Sequence, residues 1–235
     1  NFKKVDLEKL DLNQLPELEQ YILHRVFELN KNFNNYFKSY DFHNLYKELL
    51  NFCTVDLSAF YFDIRKDALY CDSKDSDRRK SCILVLNILL ESLSKWFAPI
   101  LSFTTEEIFK LINKDEKSIH LEKFMKFPKF FENDQLNKKW IELKKIRDVC
   151  NISIETKRAS KEIGSSLEAN LVISLNKNLK ELTKDIDMSE LCITSAVEII
   201  ESTNNDTTVQ TKKAVGEKCV VCWKIIKNGC LRHKN

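Results

Sequence analysis

The sequence predicts a mainly α-helical protein in which a helical bundle, a long helix, a small α+β unit and a cysteine-containing tail follow one another. Three observations indicate this order. Apolar residues recur at three- and four-residue spacing over most of the first two thirds of the chain. Glycine is scarce, with three residues in 235. After Gly164, short β-branched runs alternate with polar turns. The predicted segments are 1–133, 134–165, 166–214 and 215–235.

The bundle is predicted to contain at least three helices. The first follows Pro16, which suits an early helical position, and its apolar stripe comprises Leu18, Ile22, Val26, Leu29, Phe33 and Phe37. A second helix is predicted to begin at Asp41, whose side chain is a good N-cap. The third follows the polar run DSKDSDRRK and ends before Pro99. Because it is apolar almost all round, we expect it to be the central helix.

A long helix is predicted to follow the bundle. A capping box of Thr104 and Glu107 first predicts a short helix, and a loop containing Pro128 then leads to the long helix, which begins near Asp134. Gly164 lies where a left-handed C-terminal cap is expected. One face is expected to be core, and it carries Leu136, Trp140, Leu143, Arg147, Cys150 and Ile154.

The segment after Gly164 is predicted to form a small α+β unit. The runs LEANLVISL, LCITSAVEII and TTVQTKK have the alternation or the β-branched residues of strands, and the polar turns NKN and TNND separate them.

The residue content excludes several classes of protein. Three glycines cannot supply a Walker loop or a Rossmann fingerprint, which need several close together. Neither a Gly-x-Ser-x-Gly elbow nor a His-Glu-x-x-His helix occurs, so a catalytic centre is not expected. The longest apolar run, from Ile83 to Leu90, is interrupted by Asn87, which argues against a membrane span, and no secretory signal is visible.

The chain begins at Asn1 rather than at a methionine, and we expect it to be a piece of a longer protein.

Charge is distributed unevenly along the chain, whose formal net charge is +3. The stretch from Asn137 to Gly164 carries eight Lys or Arg against four acids, and the stretch from Thr207 to Asn235 carries seven against one. This asymmetry suits a polyanion, although a basic helix is often only a solvated face. Five cysteines lack regular spacing, which indicates reduced thiols in the cytosol: Cys53, Cys71, Cys82, Cys150 and Cys192.

The tail contains two closely spaced pairs of metal-ligand residues in the run KCVVCWKIIKNGCLRH. Cys219 and Cys222 are separated by two residues, and Cys230 and His233 repeat that gap. A two-residue gap lets both side chains of a pair reach one tetrahedral ion, so the spacing favours a structural zinc knuckle. A redox pair would leave the second pair unexplained, and a coincidence among eight cysteines is the remaining alternative.

Several stretches resemble successive landmarks in the C-terminal third of bacterial isoleucyl-tRNA synthetases. They are LPELEQYILHRVFEL, NFCTVDLSAFYFDIRKDALYCDSKDSDRRKSCILVLNILLESLSKWFAPILSFTTEEIF, KEIGSSLEANLVI and EKCVVCW. The resemblance covers essentially the whole chain and is most specific in the second stretch. LPELEQYILHR alone also fits the valyl and leucyl enzymes, and the zinc motif favours isoleucyl.

The resemblance implies an anticodon-binding bundle, truncated at its N-terminus with an exposed apolar strip, a junction unit and a zinc tail that helps grip the anticodon end of isoleucine tRNA. It implies a cytoplasmic, monomeric parent enzyme that attaches isoleucine to its tRNA and has neither a membrane nor a DNA partner. The catalytic domain that binds ATP and the editing domain precede this region in the family. Two departures stand out. His233 replaces a common cysteine, and Val221 replaces a common arginine, which removes a phosphate contact.

The expected RNA contacts lie on the third helix, the long helix and the tail: Arg78, Arg79, Lys144, Lys145, Arg147, Lys157, Arg158, Lys218, Trp223, Lys224, Lys227 and Arg232. Simple solvation or an internal ion pair is the alternative for the first two. Trp140 and Trp223 are candidate stacking residues, but both fall on apolar faces, which favours packing in the core or over the metal. The alternative function is a stand-alone zinc-containing module that binds a protein partner.

Overall fold

The computed structural model describes residues 2–113 and 118–233 of the chain. These residues fall into two compact units, Asn1–Asp134 and Gln135–Asn235, and the first consists of helices and loops. The mainly α-helical class is thereby confirmed. Asn1 and the last two residues of the predicted tail, Lys234 and Asn235, lie outside the described residues.

The first unit contains five α-helices and one π-helical segment among its described residues. The bounds are α1 Glu17–Ser39, α2 Phe42–Asn51, a π-helical segment Phe52–Phe62, α3 Asp63–Cys71, α4 Asp77–Phe97 and α5 Ser102–Ile112. Pro16 precedes α1 and the Asp41 side chain accepts a hydrogen bond from Asn44 N, so both predicted helix starts are confirmed. The segment from α2 to α3 is one continuous helical rod, since the residues at its two internal junctions keep right-handed helical dihedrals.

The core of the first unit is built from the predicted apolar stripes. Ile22, Leu45 and Trp96 are each completely buried. Within it lies an ion pair, because Arg65 donates from Nε and Nη2 to the two carboxylate oxygens of Glu19, at 2.6 and 2.5 Å. Burial of both partners requires this two-bond geometry, since either charge alone would be strongly destabilising there.

The predicted start of the fifth helix is wrong. Helix α5 begins at Ser102, before the proposed capping residue, and Leu101 precedes it. The chain has already turned after α4, where the backbone N–H of Leu101 donates to the carbonyl of Phe97 at 2.7 Å. Thr104 therefore lies inside the first turn and cannot cap it.

The second unit begins with the long helix α6, Asp134–Ala159. Its start is as predicted, but it ends at Ala159 rather than near 165. Lys161 takes the left-handed conformation that was expected of Gly164, with φ of 60°. Gly164 instead donates its backbone N–H to Glu168 Oε2 at 2.9 Å.

A three-stranded sheet follows α6, as predicted from the β-branched runs. The strands are β1 Ala169–Leu175, β2 Ala196–Glu201 and β3 Thr208–Lys213, with short helices α7 Lys177–Leu182 and α8 Met188–Leu191 before β2. Strand β1 is central, parallel to β2 and antiparallel to β3. Alternate β1 residues are completely buried: Ala169, Leu171, Ile173 and Leu175.

Within the described part of the chain, every helix is too short or too polar to cross a lipid bilayer.

Candidate metal centre and nucleic-acid interface

The tail forms a small hairpin, in which β4 (Glu217–Lys218) pairs antiparallel with β5 (Ile225–Ile226). Gly216 opens the hairpin with φ of 144°, and a Cβ there would lie 2.5 Å from the carbonyl carbon of Ile226. Only glycine has both the dihedral freedom and the missing side chain that this approach needs. The hairpin brings the first cysteine pair into the turn between β4 and β5.

The turn itself is fixed by backbone hydrogen bonds. Cys219 N donates to the carbonyl of Lys224 at 2.9 Å, and Trp223 N donates to the carbonyl of Cys219 at 3.0 Å. Trp223 closes the turn with φ of 63°, a left-handed conformation that costs a residue with a Cβ roughly 1–2 kcal/mol. The turn holds both sulfurs of the first pair on one side.

The second pair follows Gly229, whose φ of 76° turns the chain back toward the hairpin. The segment Leu231–His233 is a single 3-10 turn in which His233 N donates to the carbonyl of Cys230 at 3.2 Å. This short connection brings the nearer ring nitrogen of His233, Nδ1, to the sulfurs.

The four predicted ligands converge on one point. Their ligand atoms all lie within 4.8 Å of one another. Nδ1 of His233 is 3.4 Å from Cys219 Sγ and 3.3 Å from Cys230 Sγ, and the sulfurs of Cys222 and Cys230 are 3.9 Å apart. A tetrahedral zinc ion with ordinary bond lengths requires about 3.8 Å between two sulfurs and about 3.6 Å between sulfur and nitrogen. The donor set therefore fits zinc in both spacing and chemistry.

Backbone amides around the turn favour a thiolate at one cysteine. The N–H of Cys222, and after it the N–H of Val221, donate to the sulfur of Cys219 and lower the pKa of that thiol to about 6, against the opposite effect of burial. Burial raises the pKa of the Cys222 thiol to about 12, although the N–H of Lys224 donates to its sulfur. A metal ion binds the thiolate form, so binding must remove the proton of the Cys222 thiol. Affinity for the ion is therefore expected to fall in acid.

The tail is also attached to the α+β unit by two serines that the sequence did not reveal. Ser195 Oγ accepts from Ile225 N at 2.7 Å and donates to the carbonyl of Leu167, and Ser189 Oγ accepts from Lys224 Nζ at 3.3 Å. Both serines lie about thirty residues before their tail partners, so no local spacing could have identified them.

A second cluster of metal-ligand residues in the described part of the chain consists of His24, Glu28 and Asp134. His24 is completely buried, and its Nδ1 accepts a hydrogen bond from the backbone N–H of Asn133 at 2.9 Å. In the neutral ring the proton therefore resides on Nε2, the atom 3.4 Å from Glu28 Oε2. A metal at Nε2 would have to displace this proton, and moving the proton to Nδ1 would break the hydrogen bond from Asn133, so this arrangement is unsuited to a cation.

The predicted RNA contacts on α6 have different environments. Arg147 is 9% exposed and its Nε donates to the carbonyl of Leu191 at 2.9 Å, which removes it from the set of phosphate contacts. Three others form local ion pairs at the surface: Lys145 with Glu142, Lys157 with Glu162 and Arg158 with Glu155. Lys144 is half-buried. The remaining basic face is accessible but partly neutralised.

The predicted contacts on the tail are more accessible. Trp223 is 60% exposed, so its expected packing over the metal is wrong, whereas Trp140 is 2% exposed and is core as expected. Lys218 Nζ lies 5.7 Å from the centre of the Trp223 ring. Lys227 and Arg232 are exposed, and Lys224 is half-buried. An aromatic ring next to a cation on a rigid turn is the arrangement expected of a base-stacking site.

The two arginines at the start of α4 form internal interactions. Arg78 donates from Nε and Nη2 to the carboxylate of Asp72 at 2.7 and 2.9 Å, and from Nη2 to Asp67 at 3.1 Å. Arg79 donates to the carbonyl of Asp72 at 2.8 Å. Both therefore tie the end of α3 to the start of α4; Arg78 does so through the ion pair considered as its alternative, and Arg79 through a backbone carbonyl.

Comparison with known proteins identifies a family over much of the chain. Residues 19–173 match the family described as the anticodon-binding domain of tRNA ligase. An isoleucine–tRNA ligase of Pelagibacter ubique is 72% identical over 235 residues, which are all of this chain and 26% of that protein. Those of Bartonella quintana and Agrobacterium fabrum are 39% and 38% identical over 92% and 93% of the chain. The chain spans about a quarter of the length of these curated relatives.

Proposed function

Because the chain belongs to the family of anticodon-binding domains of tRNA ligases, we propose that it is the tRNA-recognising part of an isoleucine–tRNA ligase. The observation that carries this proposal is the similarity to isoleucine–tRNA ligases over the whole chain, at 72% identity in one of them. The parent enzyme would attach isoleucine to its tRNA with ATP, and the chemistry would occur outside this chain. We include a cytoplasmic location, which the lack of regular spacing among five of the cysteines supports, and a monomeric parent enzyme.

The proposal includes one structural zinc ion held by Cys219, Cys222, Cys230 and His233. The support is the convergence of three sulfurs and one ring nitrogen at tetrahedral spacing. All four positions of a tetrahedral ion are taken by protein, so the ion would serve as a cross-link of the tail and would offer no position to a substrate. His233 would serve in place of cysteine without loss of the site, because imidazole is an ordinary zinc ligand.

The tail would contact the anticodon end of isoleucine tRNA. Trp223 would stack on an unpaired base, and the nearby cations would bind phosphates, chiefly Lys218, Lys227 and Arg232. The exposed ring, the left-handed backbone that displays it and the cation beside it support this assignment. On α6 the remaining candidates are Lys144, Lys145, Lys157 and Arg158, the last three of which would exchange carboxylate partners for phosphates.

The test is a binding measurement with the 235-residue chain and a transcript of isoleucine tRNA, by fluorescence anisotropy at several salt concentrations. A transcript with exchanged anticodon bases is the control for recognition of the anticodon. We expect the isoleucine transcript to bind more tightly than the exchanged one, with affinity that falls steeply with salt because counterions are released from the RNA. The chain alone should charge no tRNA when isoleucine and ATP are added.

Equal binding of the two transcripts would refute anticodon recognition. Aminoacylation of tRNA by the chain alone would refute the proposal that the chemistry occurs outside this chain. A salt-independent interaction would favour a module that docks by apolar contacts instead. The measurement therefore separates the proposal from its alternative.

A further inference from the structure

A segment of the first unit combines basic and aromatic residues in a regular order that the function above does not use. Lysine and phenylalanine recur every three residues in 123–130, which reads KFMKFPKF. The segment follows the 3-10 turn Ile119–Leu121 and ends within the 3-10 turn Lys129–Phe131, and it has no other helix or strand. Glu122, just before the segment, and Pro128, within it, have extended dihedrals.

The three lysines of this segment are Lys123, Lys126 and Lys129, and they lie on its solvent side. All three side chains are exposed, and none of them has an ion-pair or hydrogen-bond partner among the described residues. The two acids that flank the segment face other cations, since Glu122 lies 3.4 Å from Lys95 and Glu132 lies 3.9 Å from Lys31. The segment therefore presents three positive charges that no carboxylate of the described residues pairs with.

The segment is fixed on the helical bundle. The carbonyl of Met125 accepts from Asn30 Nδ2 at 2.9 Å, and Asn30 Oδ1 in turn accepts from Trp96 Nε1 at 3.2 Å. The ring of Phe124 packs edge-on against Phe37, with 5.0 Å between ring centres. A fixed strip of cations loses little conformational freedom when it binds a polyanion, which favours affinity.

Exposed aromatic rings adjoin the strip at the end of α1. Phe37 contacts Phe42, and Phe42 contacts Tyr40, with 5.6 and 6.3 Å between ring centres. Tyr40 is 79% exposed and has φ of 58° at the C-cap of α1, where glycine is the usual residue. A tyrosine at this position carries backbone strain and gains little burial, so packing does not account for its ring.

We propose that this surface, the Lys–Phe strip 123–130 with Tyr40, is a second RNA-binding site of the chain. Phosphates of a single-stranded segment would bind along Lys123, Lys126 and Lys129, and an unpaired base would stack on Tyr40. This inference rests on the proposed function and adds a contact on the helical unit to the one proposed for the tail. An anionic membrane is the other polyanion to consider. RNA fits better, because Phe124 is held in the bundle and is not free to insert into lipid.

The first experiment changes the charge of the strip in the full chain. The variant K123Q/K126Q/K129Q is compared with K47Q/K74Q/K80Q, which removes three exposed lysines elsewhere on the same unit. Binding of a 15-nucleotide polyuridine and of the isoleucine tRNA transcript is measured against salt. We expect the strip variant to reduce the slope of log affinity against log salt by about 2, since each single-strand phosphate contact contributes about 0.7. The control variant should change the slope little.

The second experiment removes the aromatic ring. Tyr40→Gly should weaken polyuridine binding by about fivefold or more, which is the lower range for one stacked base, and Tyr40→Trp should retain it. Because glycine suits the left-handed dihedral, the midpoint of urea unfolding should not fall in Tyr40→Gly. Weaker binding would then reflect the missing ring rather than a damaged structure.

Trp223→Ala separates this inference from the proposed function. If Trp223→Ala weakens tRNA binding while the strip variant and Tyr40→Gly do not, the second site is refuted and the tail site stands. Equal slope changes in the strip and control variants would also refute it, as would lysine-dependent binding to phosphatidylserine vesicles without binding to RNA. Loss of binding in the strip and Tyr40 variants alone would support the helical site and not the tail site.

Discussion

Removal of zinc from the tail should unfold that segment and leave the helical unit intact. The perturbation is chelation with excess EDTA, or the double substitution Cys219→Ser and Cys230→Ser. Cys53→Ser is the matched control, because this half-buried cysteine belongs to the helical unit and has no part in the metal site.

The magnitude follows from how little of the tail is buried. Among the residues described after Gly216, Cys222 is the only buried side chain, and Ile225 and Ile226 are half-buried. Burying two isoleucines halfway contributes roughly 2–3 kcal/mol in total. A structural zinc ion in a small peptide contributes about 10–16 kcal/mol at pH 7. The metal thus outweighs the apolar contacts of the tail several times over.

The assay is hydrogen exchange at individual amides, together with elemental analysis and circular dichroism. Chelation should abolish protection at Cys219, Trp223 and His233, whose amides donate within the knuckle. Ellipticity at 222 nm should change little, because the helices have a core of their own. Protein purified without chelator should contain about one zinc per chain, and the control variant should keep it.

Two results would refute this reasoning. The tail amides would remain protected after complete removal of metal, or the double serine variant would retain a full equivalent of zinc. Collapse of the helical signal upon chelation would show instead that the helical unit depends on the metal.

Three further predictions concern the RNA contacts and the core. Trp223→Ala should weaken tRNA binding by roughly tenfold, a typical effect for one stacked base. Val220 is also exposed on the knuckle, and Val220→Ala should not weaken binding. Fluorescence anisotropy measures both variants, and equal affinities of the two for tRNA would contradict the stacking role. Substitution of four α6 residues by glutamine should reduce the slope of log affinity against log salt by about 0.7–0.9 for each phosphate that these side chains bind. The residues are Lys144, Lys145, Lys157 and Arg158. An unchanged slope would mean that this face is only solvated. Arg65→Met should lower the free energy of unfolding in urea by about 3–5 kcal/mol, because Glu19 is left charged and buried, and a concurrent Glu19→Leu should recover most of that stability; an equally large decrease in the double variant would contradict this cause.

Two helix starts and the convergence of the four tail side chains could be predicted because each depends on neighbours in sequence. Asp41 caps α2 with an amide three residues away, and a two-residue gap is enough to bring Cys219 and Cys222 together. The capping box at Thr104 had equally good local chemistry, but the chain had already turned at Leu101. A local capping signal is reliable only where no preceding turn has already used the same backbone groups in its hydrogen bonds.

Burial of charged side chains could not be predicted in the same way. The face of α6 that carries Arg147 was expected to be core, and the arginine was also expected to bind RNA. Its actual partner is the carbonyl of Leu191, forty-four residues later. Only the folded unit shows that this guanidinium is satisfied by the backbone and so can remain inside the protein.

Trp223 shows how a single backbone dihedral reverses an inference from spacing. In KCVVCWKII, a tryptophan directly after the second cysteine and one lysine before an isoleucine pair has the pattern of a residue that packs inward. Trp223 has a left-handed dihedral and does not pack inward; its ring is 60% exposed, with Lys218 beside it. Tyr40 has the same backbone conformation, and its ring is 79% exposed. Since an L-residue rarely adopts this conformation and both rings gain little burial, a ligand explains two such aromatic residues better than stability does.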